Sequence, residues 1–138
     1  MKYVDASVLL RLMFAGRGIT PDLSDGETVV SSDLVEVETF RALERERLLG
    51  NLNDMESAVK RKELADIIRM LDLAPIDATV IQLAKSAFGV NVRALDAIHV
   101  ATAQVLTEES GGEPLTFWTH DERQSTAALA RGLTVMGI

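Results

Sequence analysis

Short apolar runs alternate along the chain with longer segments in which apolar residues recur every three or four positions. The short runs predict strands, and the longer segments predict helices that bury one face. A further brief apolar segment covers residues 73–76, and residues 15–27 predict a loop rich in glycine. The predicted strands are residues 2–5, 28–30, 115–119 and 134–136, and the predicted helices are residues 7–14, about 32–49, 54–71, 77–88, 96–103 and 122–130.

Strands that alternate with helices predict an α/β fold with a parallel sheet, because parallel strands need a crossover connection that is usually helical. Right-handed crossovers place helices on both faces of such a sheet, and ligands bind at the carboxyl ends of its strands. The length of 138 residues suits one domain with one core. We therefore expect a single domain over residues 1–138.

Four acidic residues lie far apart in the chain but near the predicted ends of elements. Asp5 and Asp121 follow strands, Asp96 opens a helix, and Glu38 lies inside the second helix. Hard divalent ions prefer carboxylate oxygens, and a helix N-terminus beside an aspartate favours its ionised form. The pattern predicts a metal site that hydrolyses phosphodiesters, with these four residues as catalytic and metal-binding groups.

Each of the four acids also has a purely structural interpretation. The three aspartates suit helix N-caps, as does Ser31 or Ser32 before the second helix, which is expected to end near Gly50. Glu38 suits a solvated helix position. Glu36 points about 200° away from it around the helix, so only one of the two glutamates can face a site.

Polar side chains beside the acids are expected to support them. Ser7 and Thr119 are caps or turn residues, or they hydrogen-bond the neighbouring carboxylates, which is the interpretation we favour. His99 lies one helical turn after Asp96 and suits a ligand or a base. Its helix is rich in Ala and Val, however, which favours a packed structural role. His120 carries the same ambiguity.

Composition narrows the classes of function. The net charge of −7 opposes binding to nucleic acid, since Lys and Arg supply most of that affinity through phosphate contacts. A bound ion that offsets the carboxylates, with basic residues along the approach, would remove this objection. Cysteine is absent, which excludes thiolate nucleophiles and Cys-ligated metals. The first residues lack the apolar stretch of a signal peptide or membrane span, so we expect a cytoplasmic protein.

Arginines that follow Glu38 are the candidate contacts to phosphate groups. Arg41 and Arg45 come three and seven residues after it and share its side of the helix. Arg11 and Arg17 are weaker candidates of the same kind.

Other basic and aromatic residues have more ordinary interpretations. Arg47 and the basic run at residues 60–62 suit a solvated helix surface. Few aromatic residues are available to stack on bases, and Tyr3 and Phe14 are expected in the core.

Four segments of the chain resemble the PIN-domain nucleases, and their order and spacing match over nearly the whole length. Within that family the resemblance is closest to the VapC toxins of bacterial and archaeal toxin–antitoxin pairs, which are compact PIN domains without appended modules. The four segments are YVDASVLL at residues 3–10, SSDLVEVETFRAL at residues 31–43, LDAIHVATA at residues 95–103 and THDER at residues 119–123.

The resemblance implies a PIN-like three-layer α/β/α sandwich with a central parallel sheet. It carries the family's acidic site onto Asp5, Glu38, Asp96 and Asp121, and so selects Glu38 over Glu36. The implied activity is endonucleolytic cleavage of RNA by metal-activated water, with Mg²⁺ or Mn²⁺ as cofactor. Asp121 would complete the pocket, and single-stranded RNA loops are the expected targets.

A VapC-like toxin also implies partners. The resemblance implies a cognate antitoxin protein that covers the site, a homodimer, and no association with membrane. An alternative within the same fold is a PIN nuclease that processes RNA without toxicity, or a noncatalytic PIN binding module, although the complete set of four carboxylates counts against the latter. A phosphoacceptor receiver needs an acidic pair after the first strand and a lysine after the last, and residues 5–7 and 134–136 supply neither.

Overall fold

A computed structural model describes residues 1–14 and 18–138 and shows one five-stranded parallel sheet with helices on both faces. Residues 15–17, which belong to the predicted loop, lie outside the described part of the chain. The strands are β1 Lys2–Val4, β2 Val29–Ser32, β3 Asp72–Ala74, β4 Thr116–Trp118 and β5 Thr134–Met136, and the helices are α1 Ala6–Met13, α2 Leu34–Leu48, α3 Asp54–Ile68, α4 Ala78–Ala84, α5 Ala94–Glu109 and α6 Glu122–Ala130.

The order of strands across the sheet is β3-β2-β1-β4-β5, and every neighbouring pair is parallel. The chain moves outward from β1 to β2 and β3, then returns over these strands to place β4 on the other side of β1. Because right-handed crossovers change face when the direction reverses, helices α1–α3 and α4–α6 form separate layers. The reversal creates a switch point between β1 and β4, where ligands of open α/β sheets bind.

Successive residues of the central strands face opposite layers. Val4 and Trp118 pack with α1, α2 and α3 in one apolar cluster, whereas Tyr3 and Phe117 pack with α5 and α6 in another. The two aromatic rings of the second cluster stack in parallel with their centroids 5.0 Å apart. The three-layer α/β/α sandwich predicted from the sequence is thereby confirmed.

Local signals predicted most helix starts correctly. Asp5, Asp77 and Asp121 are the N-caps of α1, α4 and α6, and each accepts a backbone N–H of the first turn. Asn53 caps α3 in a capping box with Glu56. These side chains satisfy donors that would otherwise lie unpaired at the helix ends.

Several boundaries differ from the prediction. Ser31 and Ser32 belong to β2 rather than to the start of α2, because they pair with Leu73 and Ala74 of β3. Ser32 Oγ still accepts the N–H of Leu34 at 3.2 Å. Residues 72–74 form an edge strand. Phe14 was assigned to the core wrongly: it is 41% exposed at the end of α1, with Lys60 Nζ over its ring.

None of the helices in residues 1–14 and 18–138 combines the length and the apolar character that crossing a bilayer requires.

A buried lysine holds the loop before β2 against the first strand. Lys2, only 7% exposed, donates through Nζ to the carbonyl oxygen of Asp22 at 2.8 Å and pairs with Asp25 and Glu27. The hydrogen bond to Asp25 is the main cause that raises the pKa of Lys2, and it is also the main cause that lowers the pKa of Asp25. The pKa of Glu27 is lowered chiefly by its hydrogen bond from the N-terminal ammonium of Met1, 2.8 Å away, with a smaller contribution from Lys2. The cluster lies at the amino end of β1, opposite to Asp5.

Replacing Lys2 by Met should lower the melting temperature at neutral pH, because Asp25 loses its cationic partner and Glu27 keeps only the N-terminal ammonium of Met1. The pKa of Asp25 is lowered from 3.8 and that of Glu27 from 4.5, so their contribution is complete above those values and is lost as pH falls below them. The pKa of Lys2 is raised from 10.5, so its contribution is lost only as pH rises beyond that value.

Thermal melts of wild type and Lys2→Met across pH measure this difference, which should shrink at both extremes. Lys62→Met is the control, since Lys62 pairs with Asp66 on the surface of α3 with its side chain 80% exposed. A difference between wild type and Lys2→Met that does not vary with pH would contradict an electrostatic role.

Candidate metal centre

Asp5 occupies the switch point of the sheet, directly after β1, and is 4% exposed. Its Oδ1 accepts the Ser7 hydroxyl at 2.6 Å and the Val8 N–H at 3.0 Å, and its Oδ2 accepts the Thr119 hydroxyl at 2.7 Å. Burial raises the pKa of Asp5 above its ordinary value, while the two hydroxyls act in the opposite direction. Three hydrogen bonds therefore fix the carboxylate in place, although burial disfavours its ionised form.

Thr119 connects Asp5 to the start of α6. Its hydroxyl lies 2.8 Å from Oε1 of Gln124 and accepts the N–H of Asp121 at 3.0 Å. Asp121 itself is exposed and accepts the N–H groups of Arg123 and Gln124 through Oδ1. Both residues that the sequence proposed as supports, Ser7 and Thr119, thus hydrogen-bond Asp5, and Ser7 Oγ also accepts the His120 N–H at 2.9 Å.

Asp96 lies in the first turn of α5 rather than at its N-cap, which is Arg93. The predicted start of this helix was therefore late, and the capping interpretation of Asp96 is wrong. Asp96 is half-buried, and burial is the first cause that raises its pKa, followed by the nearby negative charge of Asp121. A hydrogen bond from the Arg93 backbone acts in the opposite direction.

Glu38 and Glu36 face different surroundings on α2. Glu36 is exposed, whereas the Glu38 side chain is 23% exposed and its Oε1 lies 2.5 Å from Nε2 of His99. His99 is 1% exposed and contacts Tyr3, whose hydroxyl is 2.7 Å from Nδ1. His99 is packed in the interior, as the sequence favoured, but its ring also contacts the candidate ligand Glu38.

The donor set has the chemistry of a hard divalent cation. All four candidate ligands are carboxylates, and two of them carry pKa values raised by burial or by a neighbouring like charge, a cost that a cation would relieve. Three hydrogen bonds to Asp5 use three of its roughly four lone-pair sites, which leaves one on Oδ2. Within the described residues, no three Asp, Glu or His side chains stand close enough to bind one ion without rearrangement.

A groove between α1 and α2 leads away from Glu38. Arg41 and Arg45 border it, and Ala6, Leu10 and Ala42 contribute apolar surface. The structure therefore brings both predicted arginines to the same surface as Glu38. Arg17 lies outside the described residues, so its predicted role stays a prediction.

Acidic neighbours accompany three of the basic residues that the sequence assigned to a solvated helix surface, namely Arg47, Lys60 and Lys62. Arg47 pairs with Glu44 within α2, and Lys62 pairs with Asp66 within α3. Lys60 donates to the Met13 carbonyl oxygen at 2.6 Å. These contacts agree with a solvated helix surface.

Sequence reasoning missed the roles of two residues that contact the side chains holding the candidate ligands. Gln124 comes three residues after the N-cap Asp121, a spacing that signals a capping box, yet its side chain contacts Thr119 instead. Tyr3 was assigned to the core, and its burial is confirmed, but the contact between its hydroxyl and His99 had no local signal.

Comparisons with known proteins point to one family. A family model described as the PIN domain matches residues 2–129. The chain is 34% identical over 139 residues to ribonuclease VapC46 of Mycobacterium tuberculosis (strain ATCC 25618 / H37Rv). The match covers 97% of this chain and 95% of that protein. The crystal structure of PAE2754 from Pyrobaculum aerophilum is similar with a TM-score of 0.65 and 20% identity, over 97% of this chain and 87% of that one. At that identity the second likeness concerns the fold alone.

The substitution Asp5→Asn should raise the melting temperature of the metal-free protein at neutral pH. The pKa of Asp5 is raised above 3.8, so wild type loses stability as pH rises from that value through the raised pKa, and the amide avoids this loss. In the variant, an amide nitrogen at the position of Oδ2 can donate to Thr119, whose hydroxyl can then donate to Gln124.

Melts of both proteins in EDTA between about pH 4 and about pH 8 test this expectation, and the difference should narrow toward acid. Asp77→Asn is the matched control, because Asp77 caps α4 from an exposed position and Asn is an equally good cap. A lower melting temperature for Asp5→Asn at neutral pH would contradict the burial cost.

Proposed function

The chain belongs to the PIN domain family, and we propose that it is a metal-dependent endoribonuclease, the VapC-type toxin of a toxin–antitoxin pair. The relative named ribonuclease VapC46 matches over nearly the full length of both proteins, which supports cleavage of RNA as the activity. The observation that carries the assignment of the site is the buried Asp5, held by three hydrogen bonds at the switch point of the sheet.

Asp5, Glu38, Asp96 and Asp121 would hold the cation, for which Mg²⁺ or Mn²⁺ suits an all-carboxylate donor set. A cation held by these carboxylates would supply activated water and charge neutralisation at the phosphodiester. Asp121 is the most exposed of the four and is already engaged as a helix cap. Asp121 would therefore complete the metal pocket, and the other three carboxylates would be the main ligands.

Ser7 and Thr119 would keep Asp5 ready for this role. Their hydroxyls donate to separate oxygens of the carboxylate, so they fix its plane and favour its charged form against the cost of burial. Rigid ligands lose little entropy when an ion binds, which is why second-layer hydrogen bonds commonly govern metal affinity.

Arg41 and Arg45 would supply the phosphate contacts. Both are exposed on α2 beside the groove that begins at Glu38, so a strand of RNA could follow them to the carboxylates. Local positive charge of this kind is needed because the net charge of −7 repels nucleic acid at long range.

The toxin assignment brings further proposals. An antitoxin protein would block the acidic site, and electrostatic complementarity would favour a basic side chain there. We also propose a homodimer, a cytoplasmic location, and a single PIN domain over residues 1–138. One sheet with two helix layers supports the last of these.

Cleavage of RNA tests the activity and the site together. Purified wild type should cut a mixed structured RNA pool in Mn²⁺ but not in EDTA. Asp96→Asn should lose about 100-fold or more in rate, because metal binding contributes several kcal/mol to such reactions. Asp66→Asn, which changes a surface carboxylate of α3, should retain the wild-type rate.

Two results would contradict the assignment. Cleavage that persists in EDTA would exclude metal dependence, and equal cleavage by wild type and Asp96→Asn would indicate a contaminating ribonuclease or a different site. Loss of cleavage in Asp66→Asn to the same extent would remove the site specificity of the result.

Binding of RNA tests the two arginines apart from catalysis. In the inactive Asp96→Asn background, adding Arg41→Gln or Arg45→Gln should weaken binding and reduce the slope of log affinity against log salt by about one for each phosphate that the side chain no longer neutralises. Lys62→Gln should leave that slope unchanged, since Lys62 lies on the exposed surface of α3. Equal slopes for all variants would exclude phosphate binding by these arginines.

A further inference from the structure

A buried chain of three side chains connects the first strand to the candidate ligand on α2. Tyr3 in β1 contacts His99 in α5, and His99 contacts Glu38 in α2. Tyr3 is fully buried and His99 nearly so, while Glu38 is the member that reaches the surface. These three side chains therefore connect all three layers of the sandwich.

The hydrogen positions in this chain follow from the donor inventory. A tyrosine hydroxyl carries its hydrogen at neutral pH, and that of Tyr3 lies 2.7 Å from Nδ1 of His99, to which it can donate. The ring then carries its hydrogen on Nε2, which donates to Oε1 of Glu38 at 2.5 Å. A tyrosine thus selects the tautomer in which the histidine holds the glutamate.

The ring has little freedom to adopt another arrangement. Tyr3 packs edge-on against His99 with ring centroids 5.9 Å apart, and Tyr3 is itself stacked on Phe117 of β4. The strands that carry Tyr3 and Phe117, β1 and β4, lie on either side of the switch point. The position of Glu38 is in this way tied to the same central strand that ends at Asp5.

From this geometry we propose that His99, braced by Tyr3, is a positioning residue that holds Glu38 for its role as a metal ligand. His99 occupies Oε1, so the ligand atom would be Oε2. Glu38 lies on a different helix layer from Asp96, and a long glutamate side chain would otherwise sample several rotamers. The inference rests on the proposed function, since it concerns the same metal site.

Removing His99 alone would not separate this role from folding. The hydroxyl of Tyr3 would remain buried without its partner His99, which destabilises the folded protein whether or not Glu38 needs the contact. Replacing both polar partners by apolar side chains of similar shape removes that penalty. The informative variant is therefore the double substitution Tyr3→Phe with His99→Leu.

The experiment compares wild type, the double variant and His99→Gln for Mn²⁺ affinity by calorimetry, for kcat and KM of RNA cleavage, and for melting temperature. The double variant should lose about 10- to 100-fold in Mn²⁺ affinity and in kcat, the effect usual for groups that orient metal ligands. His99→Gln should recover part of both, because its amide nitrogen can replace Nε2 as the donor to Glu38. Melting temperatures should not follow that order.

A matched control distinguishes this effect from general damage to α5. Thr107 donates its hydroxyl to the Ala103 carbonyl oxygen farther along the same helix, and Thr107→Val should leave Mn²⁺ affinity and kcat unchanged. If the double variant does not fold, Tyr3→Phe, which removes one oxygen, decides the question. Wild-type affinity and kcat in Tyr3→Phe would then overturn the inference.

The outcomes separate the inference from the proposed function. Wild type that binds no Mn²⁺ and cleaves no RNA would overturn both. Wild type that does both, with a double variant of equal Mn²⁺ affinity and kcat, would overturn the inference alone. Losses that follow melting temperature through all variants would also overturn it, because they would show a structural role only.

Discussion

The buried carboxylate of Asp5 is the constraint around which the site is arranged. It ends the central strand, begins α1, and accepts hydrogen bonds from Ser7, Val8 and Thr119. An ionised group in such a place is costly unless hydrogen bonds or a cation compensate it. The strand order β3-β2-β1-β4-β5 makes that compensation possible, because the parallel neighbour β4 brings Thr119 to the same edge of the sheet.

Stability and function oppose each other at this edge. Burial raises the pKa of Asp5 and of Asp96, and Asp121 adds a like charge to the second of these. The same negative charges that lower the stability of the metal-free protein would attract a divalent cation. Binding of that ion would then add to the stability of the native state. The surrounding hydrogen bonds hold the ligands in place and limit this cost.

The distribution of charge explains how an acidic protein can act on RNA. Arg41 and Arg45 are exposed beside the groove at Glu38, whereas Arg47 and Lys62 pair with acidic neighbours on their own helices. A net charge of −7 then limits adsorption to arbitrary nucleic acid. Productive binding would depend on the local arrangement of two arginines and a bound cation, rather than on overall charge.

Local chemistry in the sequence determined the order of strands and helices and the caps at Asp5 and Asp121, because these depend on neighbours within one turn. The same pattern predicted an α/β fold with a parallel sheet and singled out the four candidate acids. The resemblance between short segments and a known family added the three-layer sandwich and selected Glu38 over Glu36. Only the tertiary structure decided that Tyr3, His99 and Glu38 form one chain and that Thr119 contacts Asp5, since 96, 61 and 114 residues separate these partners. The structure also shows that Phe14 is exposed and that Asp96 lies in the first turn of α5 rather than at its N-cap. Hydrophobic pattern records which side chains are buried, but packing of distant elements decides which polar atoms meet there.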